Sequence, residues 1–154
     1  MIDRPVAVNR ALQTLVALCV AVGVVTLLVW VYREDLVLAW AEGNPGARAI
    51  LRDGGLEAVE ANLIVPGFVP VVLTSYLVSL MLVWVFAVFF WGGFTWGRVC
   101  LVTVALFGIF LAVLAVASGI PTLFEVLCGA VVVLCAVHLF YLLHPRTTRW
   151  FREV

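Results

Sequence analysis

The sequence predicts an all-α membrane protein: a bundle of four transmembrane helices with one extracytoplasmic loop of about 37 residues that itself contains short helices. Three observations predict it. Of the 154 residues, 66% are hydrophobic and only 12% charged, where a soluble domain carries about 25% charged residues. The charges leave four apolar runs of 20 or 21 residues, three of them uncharged and the fourth holding only Glu125 near its start. At about 1.5 Å per residue, such a run matches a hydrocarbon core of about 30 Å. None of the runs alternates in polarity as the strands of an outer-membrane barrel do. Composition therefore excludes an ordinary soluble globule and a disordered chain. Four cysteines, all in apolar runs, also exclude a small disulfide-built secreted domain.

The first span covers residues 11–31, between Arg10 and Arg33. It is longer than a signal-peptide core and ends in Trp30-Val-Tyr32, an interfacial anchor, so it reads as retained. The second covers 71–91, with Pro70 suited to a first helical turn and Gly92-Gly93 breaking it. A third, 99–118, stops at Gly119-Ile-Pro121. The fourth, 123–143, stops before His144-Pro145, because proline disfavours helix in the residue before it.

Orientation follows from arginine, since the chain has no lysine. Arg4, Arg10, Arg98, Arg146, Arg149 and Arg152 fall on one side and only Arg33, Arg48 and Arg52 on the other. Both termini, with the tail 144–154, are expected in the cytoplasm of a bacterial inner membrane. Trp91 and Trp96 inside, and Trp30, Tyr32 and Tyr76 outside, suit aromatic belts. Without a basic stripe there is no reason to expect nucleic acid.

The outer loop, 32–70, is the one soluble-type segment. Leu36, Val37 and Trp40 share a helical face within Arg33–Glu42, which either extends the first helix or lies on the membrane surface. Asn44-Pro45 reads as a helix start, with Asn as cap and Pro in first position. That helix is expected to end at Asp53-Gly54-Gly55, with a further turn over Leu56–Asn62. The loop is either a connector over the bundle's outer ends or a docking cap. Its six acidic residues lack the ligand spacing of a calcium loop.

Candidate polar residues are few. Glu125 is the one carboxylate at the edge of a span, and such groups invite a functional reading. Thr122-Leu-Phe-Glu125 also reads as a capping box. His138 lies inside the fourth span. Its commoner use is an interhelical hydrogen bond. Haem would need a facing histidine, and His144 lies on another face of the same helix. Cys19, Cys100, Cys128 and Cys135 form no CxxC pair, so small apolar packing is expected of them. No cofactor or metal is expected.

Ala105, Gly108, Ala112, Ala115 and Gly119 recur at spacings of 3 and 4 and draw a small-residue stripe along the third span. Ser75 and Ser79 repeat the theme on the second. Helices in lipid associate through close backbone approach, so these faces serve either packing within the bundle or a partner subunit. In the tail, Arg146, Arg149, Trp150, Phe151 and Arg152 suit an anionic inner leaflet or a partner.

Several short motifs recur in order: Arg4-Pro5, Phe68-Val-Pro70, Gly92-Gly-Phe-Thr-Trp-Gly-Arg98 and Leu143-His-Pro-Arg-Thr-Thr-Arg-Trp-Phe151. In this order the chain resembles small four-pass membrane proteins of mycobacteria and related actinobacteria. The lysine-free, Val/Leu/Ala-rich composition agrees with high-GC bacteria. The resemblance covers most of the chain and lends no catalytic residue. It implies a noncatalytic accessory subunit of a larger envelope complex, contacting membrane lipids and other integral membrane subunits; a lipid-uptake transporter of the Mce type is one such host. The alternatives are a small oligomeric transporter or channel coupled through Glu125, and an enzyme acting on lipid or quinone.

Overall fold

The computed structural model describes residues 5–63 and 65–153, with the backbone alone at Glu153. Arg4 of the arginine-rich side and Val154 of the tail lie outside the described residues. Among those described, the chain is all helical. Four helices are long and apolar enough to cross a membrane: α1 (Val6–Val31), α4 (Phe68–Trp91), α5 (Thr95–Ala117) and α6 (Thr122–Leu143). This is consistent with a multi-pass membrane protein. Between the first two lie α2 (Arg33–Gly43) and α3 (Pro45–Asn62), and α7 (Pro145–Glu153) closes the chain.

Local chemistry sets the ends. Tyr32, at φ −101° and ψ 32°, separates α1 from α2, so α2 is a helix of its own and not an extension of the first. The Asn44 side chain accepts from the Gly46 N–H at 3.0 Å, and Pro45 takes the first turn of α3. Gly55 breaks α3 in the middle at φ 71°, a left-handed backbone that glycine adopts without penalty. The expected stop at Gly54-Gly55 is thus a kink between two helical segments. Pro70 occupies the first turn of α4. Gly93 and Gly119, both at positive φ, end α4 and α5.

α1 packs against α4 and α6, and α5 packs against the same two helices. The four long helices therefore neighbour one another in chain order, with the first closing on the last. One end carries the start of α1, the turn after α4 and α7. Its core joins Val8, Ala11, Phe90, Leu101 and Leu142 with Trp150 of α7. At the other end Val29, Leu36 and Phe124 form a second cluster. A third, around Ala41, Ala47 and Val59, lies between α2 and α3. The Arg33–Glu60 ion pair, 2.8 Å, ties the start of α2 to the second half of α3. Outward faces of the long helices stay apolar: Val78, Met81, Trp84 and Phe110 are all exposed.

Candidate functional site

One side-chain pair of polar groups joins α1 to α6 in the interior. Thr14 Oγ1 lies 3.0 Å from His138 Nδ1 and 2.9 Å from the Ala11 carbonyl. One hydroxyl has one proton. Given to Ala11, it leaves Nδ1 as the protonated nitrogen, donating to Thr14, and Nε2 as a bare acceptor. His138 is 1% exposed, and Nε2 has no hydrogen-bond partner among the described residues. His138 therefore makes an interhelical bond. The hydroxyls of Thr26 and Thr103 are spent on carbonyls of their own helices, Val22 at 2.9 Å and Val99 at 3.1 Å.

Between α1 and α4 runs an apolar groove of about 500 Å³, walled by residues such as Leu12, Val16, Cys19, Trp84 and Val88. Tyr76 stands at one end of it. Its hydroxyl donates to the Cys19 carbonyl at 3.2 Å. Gly23 lies beneath the ring: a Cβ there would come within 2.8 Å of the phenolic oxygen. Tyr76 thus joins two helices instead of serving only in an aromatic belt. Hydropathy gave no signal for this, because the contact spans 57 positions in the chain.

The small-residue stripe of α5 divides. Ala105 and Ala112 are buried, Gly108 and Ala115 are partly so, and α6 is the neighbour on that side. Cys135 Sγ of α6 stands 3.8 Å from where a Gly108 Cβ would be. Gly119 lies beyond the helix and serves as its terminator. Ser75 and Ser79, in contrast, are exposed on the outward side of α4.

The capping-box reading of Thr122 and Glu125 is corrected. Pro121 holds the cap position, Thr122 is the first helical residue, and no side-chain capping bond forms. Proline places the cap one residue earlier because its fixed φ suits the non-helical side of the junction. Glu125 instead lines a groove of about 340 Å³ between α5 and α6, beside Ala112, Cys128 and Gly129.

The tail also divides. Trp150 is 5% exposed and sits in the core, and Phe151 lies 5.3 Å from Phe90, centroid to centroid. Arg98 donates to Thr148 Oγ1 at 2.9 Å and stands 5.8 Å from the Phe151 ring. Thr147, fully buried, donates to the Tyr141 carbonyl at 2.9 Å. These bonds hold α7 across the ends of the long helices, and Arg146, Arg149 and Arg152 face outward. The aromatic and basic residues therefore occupy opposite sides of one short helix. Spacings of three and four at Thr147, Trp150 and Phe151 are the signal that marks it in the sequence.

All four cysteines are free thiols. Among the described residues, no group of three His, Cys, Asp or Glu is placed to hold a metal ion. No protein-family model matches the chain, and neither a curated protein nor a solved structure does.

Proposed function

We propose that this chain is a noncatalytic accessory subunit of a larger bacterial inner-membrane complex. It crosses the bilayer four times as a helix bundle, with α2 and α3 outside and both termini in the cytoplasm. The arginine-rich end faces the cytoplasm in keeping with the positive-inside rule. The observation that carries the accessory role is the outward position of Ser75 and Ser79, one turn apart on α4. Small polar residues are what helices in lipid use for close association. The other small-residue faces are spent largely inside the chain, whereas this one is left for a neighbour. An envelope lipid-transport assembly is the host class the reading favours.

A photo-crosslinker at Ser79, activated in intact membranes, tests it. The expected product is a larger adduct containing a second integral membrane protein, absent when the crosslinker replaces Leu106 on α5. Adducts to lipid or to this chain alone from both sites argue for a solitary or self-associated protein. Fusing a reporter after Val154 checks the topology, and activity on the periplasmic face reverses it.

Glu125 supports a second reading, a small oligomeric transporter, since its carboxylate borders the α5–α6 groove. Ion or proton flux in reconstituted vesicles that vanishes in Glu125→Gln would place this reading first.

A further inference from the structure

We propose that the groove between α5 and α6 binds a single-chain amphiphilic cation, with its ammonium on the Glu125 carboxylate and its hydrocarbon chain along the two helices. The proposal rests on the membrane crossing argued above and deepens the second reading, whose carboxylate it shares.

Position sets the shape of the site. Glu125 stands in the first turn of α6 and Val116 in the last turn of α5, on either side of the short turn that joins them. Both line the groove, so its charged end lies at the helix ends. Cys128, Gly129 and Val132 continue the lining one and two turns further along α6. From Glu125 to Val132 is about 10 Å at helical rise. Ala112 and Val113 face them from α5. Gly129 leaves the floor open, since a Cβ there would have nothing within 4 Å.

Charge selects a cation. The Glu125 carboxylate has neither a hydrogen bond nor an ion pair with any described residue. It is half-buried, and no arginine lines the groove with it. On the other side of the α5–α6 turn, Asp35 and Glu42 of α2 border a cleft of about 460 Å³ whose opposite wall holds Thr122 and Phe124. Arg33 is held by Glu60, and Arg48 donates to the Glu42 carbonyl at 2.8 Å. Seven acidic residues against three arginines belong to this end of the molecule. Such a field gathers cations and repels anions.

The lining selects an amphiphile among cations. A metal ion such as calcium takes several oxygen ligands, and among the described residues no group of three His, Cys, Asp or Glu is placed to hold one. An ammonium needs only a charge and an acceptor. Beyond Glu125 the walls are apolar apart from the Cys128 thiol, and an alkyl chain matches them where a hydrated ion does not. A phospholipid would bring a phosphate to the acidic end along with its ammonium. A second copy across a twofold axis would bring two Glu125 carboxylates into one contact, like against like. The face given to a partner subunit, Ser75 and Ser79, belongs to α4, which packs on α1 and α5 and stands across the bundle from α6.

The test titrates tritiated dodecylamine onto the full-length chain in phosphatidylcholine nanodiscs and subtracts what empty nanodiscs take up. The expected result is one saturable site per chain, with none for dodecanol. Glu125→Gln weakens the site at least about tenfold, as loss of a hydrogen bond to a charged group does. Gly129→Leu fills the floor from an exposed position, so folding is kept, and it weakens the site as much. Glu57→Gln removes one exposed charge from α3 and leaves the site unchanged. Dodecanol binding as well as dodecylamine overturns the proposal. So does a Glu125→Gln protein that keeps the site, or an equal loss in Glu57→Gln, which is attraction to net charge alone. Flux that depends on Glu125 without a dodecylamine site overturns this proposal and leaves the transporter reading. A dodecylamine site without flux supports this proposal and removes the transporter reading.

Discussion

Thr14 on α1 and His138 on α6 meet at 3.0 Å, side chain to side chain, across the seam where the first long helix closes on the last. Such bonds in lipid average about 0.6 kcal/mol and reach about 1.7 kcal/mol. Thr14→Val takes from a buried imidazole its one side-chain partner and is expected to cost about 1–2 kcal/mol. His138→Leu removes the second polar group. The double variant is therefore expected to be more stable than the two single losses add up to, with a coupling of about 1 kcal/mol. Reversible unfolding in mixed micelles measures all four proteins. Strict additivity means that the bond contributes nothing.

Trp150 separates two uses of the tail. Its side chain is 5% exposed in the core beside Val8, Ala11 and Leu142, whereas Arg149 one residue earlier is exposed. Trp150→Ala is expected to lower stability by about 3 kcal/mol, as truncation of a large buried aromatic does. Arg149→Ala stays within about 0.5 kcal/mol, as exposed sites do. Thermal unfolding in detergent compares them. Equal small effects would return Trp150 to the membrane surface.

The four long helices were legible because their signal is simple: apolar runs of spanning length, with Glu125 their one charge, closed by Gly92-Gly93, Gly119-Ile-Pro121 and His144-Pro145. Their starts were less so. α1 begins at Val6, five residues before the predicted span, and runs past Arg10. A long arginine side chain on an exposed face lets the backbone stay helical. The α7 helix was hidden because a run of arginines reads as a tail until Thr147, Trp150 and Phe151 are placed on one face. What hydropathy could not give is which helix neighbours which. All four spans are apolar all round, so hydropathy draws no stripe on them, and the small residues of α5 mark a packing face without naming its neighbour. The Tyr76–Cys19 bond and the seat on Gly23 depend on that pairing, and so does the groove they close. Glu125 shows the opposite error: Thr-x-x-Glu fitted a capping box, but Pro121 took the cap position first.

The start of α3 is a test confined to the segment between α1 and α4. Asn44 accepts from Gly46 N–H at 3.0 Å, satisfying one of the helix's free amides. Asn44→Ala is expected to cost about 1 kcal/mol, and Asn44→Gly only a few tenths. The Arg33–Glu60 pair is half-exposed on both sides, so Glu60→Gln is expected to change stability by less than about 1 kcal/mol. Hydrogen exchange over residues 44–50 reads the cap directly: protection falls in Asn44→Ala and holds in Glu60→Gln.

Three glycines in the long helices are expected to respond differently to the same methyl group. At Gly97 a Cβ would lie 2.8 Å from the Phe90 backbone nitrogen and 3.0 Å from Phe89 Cβ, where the first turn of α5 meets the end of α4. Backbone cannot step aside there, so Gly97→Ala is expected to destabilise by about 1–3 kcal/mol. At Gly108 the nearest atom to a new Cβ is Cys135 Sγ at 3.8 Å, an ordinary contact. Gly129 has nothing within 4 Å. Gly108→Ala and Gly129→Ala are therefore expected to be neutral or stabilising by up to about 1 kcal/mol, the helix preference of Ala over Gly. Unfolding midpoints of the three variants decide it. A large loss at Gly108 would mean that α5 and α6 approach more closely than the 3.8 Å clearance allows.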